Sequence, residues 1–165
     1  MRPFDFIGTY FWIFLLGVSI KFVWPSKEAR NRTRLEPDFA YADRMLRIKV
    51  YGWMSLPWLM MGVGQLFGGI PSVWHYFRPQ DGNPWVLAFF AAVVVVWFAA
   101  VYWIYVRDGA RAIVEHQLLV GNTSVGPSVL TPHQVKLLLG LILLSGACGL
   151  AMMFLTNIPI PNLMH

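Results

Sequence analysis

PWVLAFFAAVVVVWFAAVYWIYV, residues 84–106, contains no charged side chain and no amide. A membrane helix needs about 20 mostly apolar residues, because a rise of ~1.5 Å per residue must cross a hydrocarbon core of ~30 Å. Residues 84–106 meet that requirement most cleanly, and three other stretches meet it as well. Residues 6–24 carry Lys21 as their only charge, close enough to the end for its ammonium to snorkel. Residues 50–70 are uncharged, with Gln65 their only amide and Pro57 expected to kink the helix. Residues 137–155 are entered from Lys136. The expected fold is therefore an all-α membrane protein: a four-transmembrane-helix bundle with short interfacial helices, forming one integral-membrane domain over 1–165.

The composition leads to the same class. Apolar residues make up 57% of the chain and charged residues 13%, about half the share of a soluble domain. These proportions exclude intrinsic disorder, a disulfide-stapled mini-protein and a large water-facing domain. The single cysteine, Cys148, lies in an apolar run. It cannot form an intrachain disulfide, a Cys-x-x-Cys pair or a multi-cysteine zinc site, and reads as a small packing residue.

Orientation follows from the basic residues. Lys21, Lys27, Arg30, Arg32, Arg34, Arg44, Arg47 and Lys49 flank or occupy the first connection, and Arg107, Arg111 and Lys136 the third. Arg2 and Arg78 fall on the opposite side. The positive-inside rule puts loops 25–49 and 107–136 in the cytoplasm, and loop 71–83 and both termini outside. A bacterial inner membrane is the expected location. The net charge of +5 is thus a topology signal, with anionic lipid at the cytoplasmic face as its expected partner and no nucleic acid. The first span lacks a small-x-small cleavage site and reads as retained.

The cytoplasmic connections carry local signals. Asp38 is expected to cap a helix running into the second span, with Asp43 and Arg47 paired four residues apart. Ala110, Ile113, Val114 and Leu118 form a helical stripe expected to lie at the interface. Thr131-Pro132 is a helix start. Glu115, His116 and His133 match no metal-ligand spacing, so no metal site is expected.

The outer connection has the densest chemistry, with Trp74, His75, Tyr76, Phe77 and Arg78 contiguous and Asp81-Gly82-Asn83-Pro84 reading as a turn and helix start. Trp74, His75, Tyr76, Arg78 and Asp81 suit an interfacial aromatic belt, a docking surface or a ligand site in which His75 acts with Arg78 and Asp81. Small residues that let membrane helices approach recur at Gly64 and Gly68, at Ala88, Ala92 and Ala99, and at Ser145 and Gly149. Trp12, Trp58 and Trp97 lie deep in their spans, where each indole either fills the interior or meets a partner.

His75, His116, His133 and His165 all lie at or beyond span ends, which disfavours a buried bis-His haem. No catalytic residue is assigned and the cofactor stays unknown. The leading expectation is a non-catalytic accessory or stabilising subunit of a larger inner-membrane assembly, bound to other membrane-protein subunits. One alternative is a membrane enzyme or binder of a quinone- or lipid-like molecule centred on the outer loop. A second is a transporter of a neutral solute that uses Gln65 and the Pro57 kink.

Overall fold

The computed structural model describes residues 3–24, 37–118 and 130–156, and the described residues are helical with no strand. The basic run 27–34, the loop 121–127 and the tail bearing His165 lie outside them. Helix α1 is Pro3–Val23, α2 is Pro37–Met54 and α3 is Leu56–Leu66. Two 3₁₀ turns, Val73–Phe77 and Pro79–Asp81, lead to α4 (Pro84–Val101), which runs directly into a π turn at Tyr102–Val106. A short α5 (Gly109–Glu115) and a long α6 (Pro132–Leu155) follow.

Local chemistry sets these boundaries. Asn83 caps α4 by accepting the Trp85 amide at 2.9 Å, with Pro84 in the first turn. Thr131 and Gln134 form a reciprocal capping box on α6, at 3.3 and 2.8 Å. Asp38 stands inside the first turn of α2 rather than at its cap, because the helix already begins at Pro37. Its carboxylate still faces the positive end of the helix dipole.

Residues 50–70 do not form one continuous helix. The helix breaks at Ser55, where Pro57 has no N–H to give the preceding turn and its ring crowds that turn. Ser55 still donates its amide to Tyr51 O at 3.0 Å and accepts Leu59 N at 3.0 Å, so α2 and α3 stay coupled. Two helical segments are long and apolar enough to cross a membrane: Pro84–Val106, with mean hydropathy 2.4, and Pro132–Leu155, with mean hydropathy 2.3. The apolar part of α1, Gly8–Val23, is shorter.

The long segments alternate in direction. Gly8 near the start of α1 meets Trp74 of the first 3₁₀ turn, and Phe90 of α4 meets Phe154 near the end of α6. We call this the outer end. At the opposite, inner end, Phe22 stacks on Tyr51 and Tyr105 donates its hydroxyl to Lys136 O at 2.8 Å. Each end has its own core. The outer one is built on Met61, Ile70, Val73, Tyr76, Val86 and Phe90, the inner one on Ile104, Ala110, Ile113, Leu118 and Val135. The Ala110–Ile113–Leu118 stripe thus faces the protein interior rather than an interface.

Candidate functional site

The outer turns place the five residues singled out in the sequence in different environments. Tyr76 is buried and donates its hydroxyl to Met61 O at 2.9 Å, tying the first 3₁₀ turn to α3. Burial pushes its phenol up to about 12, because an ionised oxygen there would lose its water. Trp74 is half-buried against Gly8 and tilts over Phe77, with ring centroids 6.0 Å apart. His75 Nδ1 lies 3.2 Å from the hydroxyl oxygen of buried Ser72 and 3.3 Å from its carbonyl oxygen. Arg78 donates from Nη2 to Asp81 Oδ1 at 3.0 Å in a partly exposed pair. The fold therefore brings Arg78 to Asp81 and engages His75 with Ser72. Arg78 Nε is buried with no hydrogen-bond partner, a donor left unsatisfied at this end.

The small residues divide according to what faces them. A Cβ on Gly64 would collide with the Tyr76 hydroxyl, and one on Gly68 with Trp85, so both glycines make room for aromatic side chains. Gly62 gives the same room to Trp12, with a virtual Cβ 2.6 Å from its ring, and Gly146 to Trp97 at 2.6 Å. Gly109 does so for Trp103, again at 2.6 Å. Ala92 is buried on α4, while Ala88 and Ala99 are half-buried. Ser145 is exposed and bonds only back to Ile142 O, and nothing approaches Gly149 within 4 Å. Two deep tryptophans, Trp12 and Trp97, thus lie against glycines of neighbouring helices. Trp58 joins the outer core beside Phe89, at 6.3 Å.

The inner end holds a polar network only partly visible in the sequence. Asp43 and Arg47 pair at 2.8 Å along α2 and are 1% and 3% exposed, which makes the pair a buried one. Asp43 also accepts from His116 Nδ1 at 3.1 Å, across 73 residues, which requires the proton on that nitrogen. Arg47 Nη2 donates to His116 O at 2.8 Å, closing the C-terminal end of α5. Phe39 stacks flat on the His116 ring at 4.7 Å, and Tyr51 donates its hydroxyl to Leu118 O at 2.6 Å. This network clamps the chain leaving α5 onto α2. The Asp43–Arg47 spacing was readable in advance, whereas nothing in the sequence signals His116 as the third member. His133 and Glu115 are exposed and stand apart from it. Among the described residues no three His, Cys, Asp or Glu side chains gather in a metal-binding group.

Gln65 lines a partly open groove of about 320 Å³ at the outer end. Thr9, Tyr10 and Trp12 of α1 form one wall, and Gln65 and Leu66 of α3 with Ile70 form the other. Gln65 Nε2 points to Gly8 O at 3.5 Å, at the limit of a hydrogen bond, while its Oε1 is buried with no partner. Comparison with known protein families, with curated proteins and with solved structures gave no match for this chain.

Proposed function

We propose that the chain is a four-span integral membrane subunit of non-catalytic type, an accessory or stabilising component of a larger inner-membrane assembly. Spans near 6–24, 50–70, 84–106 and 137–155 alternate across the bilayer in this reading. Loops 25–49 and 107–136 then face the cytoplasm, and both termini with loop 71–83 face outward. The contacts at the two ends support the alternation: the start of α1 meets the outer turns, while α2, α5 and the start of α6 meet at the other end. Exposed Arg44, Lys49, Arg107 and Arg111 gather at that second end, where anionic lipid head groups would meet them.

The observation that carries the subunit reading is the surface of α6. None of its most apolar stretch is buried within the chain, and Leu137, Leu141, Ile142, Leu144, Met152 and Leu155 are all exposed. Phe98 on α4 and Tyr102 in the π turn are exposed as well. So much apolar and aromatic surface needs cover from lipid, and it offers membrane-protein partners a broad packing face.

Mild detergent extraction followed by native mass spectrometry tests the assembly. We expect stoichiometric co-purifying membrane proteins; a monodisperse lone chain overturns the subunit reading. Topology is tested separately in a Cys148→Ala background with a membrane-impermeant maleimide. Gln80→Cys should label in intact cells, and Arg30→Cys and Asn122→Cys only after lysis. The reverse pattern inverts the orientation.

A further inference from the structure

We infer that the groove between α1 and the end of α3 binds the head of a lipid-soluble quinol, a flat neutral ring that donates a hydroxyl proton to Gln65. Gln65 Oε1 is an acceptor buried without a partner, which is costly in an apolar setting. Gly8 O can only accept, so of the two amide atoms Nε2 faces it and the oxygen is left over. What this site lacks is therefore a donor, which a hydroxyl supplies and a keto oxygen or an ether does not.

The 3.5 Å contact to Gly8 restrains the amide weakly, and the terminal torsion of a glutamine is broad. In the bound state we place Oε1 in the groove that the same side chain already lines, through a rotation of the amide that gives up the weak contact to Gly8 O. The volume of about 320 Å³ suits a single ring with the first part of a tail. None of the described lining residues is charged, so an anionic phosphate head has no counter-ion here. Tyr10 and Trp12 give aromatic surface for a flat ring, and Leu66, Ile70 and Pro71 give apolar surface for its tail. The inference does not depend on whether the chain has partner subunits.

Full-length protein in detergent micelles is incubated anaerobically with decylubiquinol, and the bound ligand is counted by native mass spectrometry. One molecule should bind, about tenfold more weakly to Gln65→Leu, the loss of one hydrogen bond. Binding should vanish in Leu66→Trp, where a larger ring at an exposed position fills the groove. The bis-methyl ether of the same ring, which has no donor, should bind wild type about tenfold more weakly than the quinol. It should not distinguish wild type from Gln65→Leu. Equal affinity of quinol and ether for wild type overturns the proposal without relying on any variant. Unchanged quinol binding in Gln65→Leu or Leu66→Trp overturns it too. If dioctanoylglycerol, an aliphatic alcohol, binds as tightly as the quinol, the ring assignment fails.

Discussion

At the outer end, Trp12, Trp74 and Trp85 lie where Gly62, Gly8 and Gly68 leave room for them. At the inner end, Asp43, Arg47, His116 and Tyr51 join α2 to the chain leaving α5 through hydrogen bonds and one buried ion pair. The outer end relies on shape: its aromatic rings seat against backbone, and a methyl on Gly62 or Gly68 would unseat the ring it faces. The inner end relies on charge, and its side chains are held because each polar group has a specified partner. The two devices should fail differently. Shape fails by clash, in proportion to added volume, whereas a buried ion pair fails by leaving a charge stranded.

The largest effect should follow from stranding that charge. Asp43→Ala leaves Arg47 buried without its carboxylate, and should cost about 3–5 kcal/mol by thermal unfolding in micelles. The double variant Asp43→Ala/Arg47→Met should recover most of that loss. If the single variant unfolds like wild type, the inner network does not hold this end together. Next comes Gly64→Ala, which drives a methyl into the Tyr76 hydroxyl and should cost about 1–3 kcal/mol. Its counterpart Gly149→Ala meets empty space in a helix interior and should be neutral or stabilise by up to about 1 kcal/mol. Similar losses at both glycines would show that shape is not the deciding factor.

Tyr76→Phe removes one buried hydrogen bond and should cost about 1 kcal/mol. It also changes the response to alkali. Burial raises the phenol from 10.0 to about 12, so the fold favours the neutral form. That contribution is complete below pH 10 and is lost as pH rises through about 12. Alkaline melts should therefore destabilise wild type over this window more than Tyr76→Phe, and parallel curves would count against it. The smallest effect is expected from Asp81→Ala, which breaks a partly exposed pair and should change stability by less than about 1 kcal/mol.

Features within one stretch of chain were legible in the sequence. The two apolar segments 84–106 and 137–155, the Thr131 helix start, the interruption caused by Pro57 and the Asp43–Arg47 spacing all depend on neighbours within a few residues. Contacts between helices were not, because they depend on how far each helix is rotated about its axis and where it is cut. Gly64 and Gly149 look alike as small residues in apolar runs, yet one accommodates Tyr76 and the other faces open space. His116 looked like a failed metal ligand because its partner lies 73 residues away. The outer turns suited an aromatic belt, a docking surface or a ligand site in sequence, but tight 3₁₀ geometry sends adjacent side chains in different directions. Tyr76 points inward, His75 engages Ser72 and Arg78 reaches Asp81.

The π turn at Tyr102–Val106 has a consequence in the arithmetic of chain length. There Arg107 N is shared between Trp103 O, its α-helical acceptor, and Tyr102 O one residue farther back, both at 3.2 Å. A π turn takes up one residue more than an α-helical turn, so deleting one residue there should restore a plain helix and leave the segment downstream close to its present orientation. The join between the most apolar helix and the buried ion pair is thus where the chain can shed a residue, whereas a deletion within α4 itself would rotate everything beyond it by about 100°.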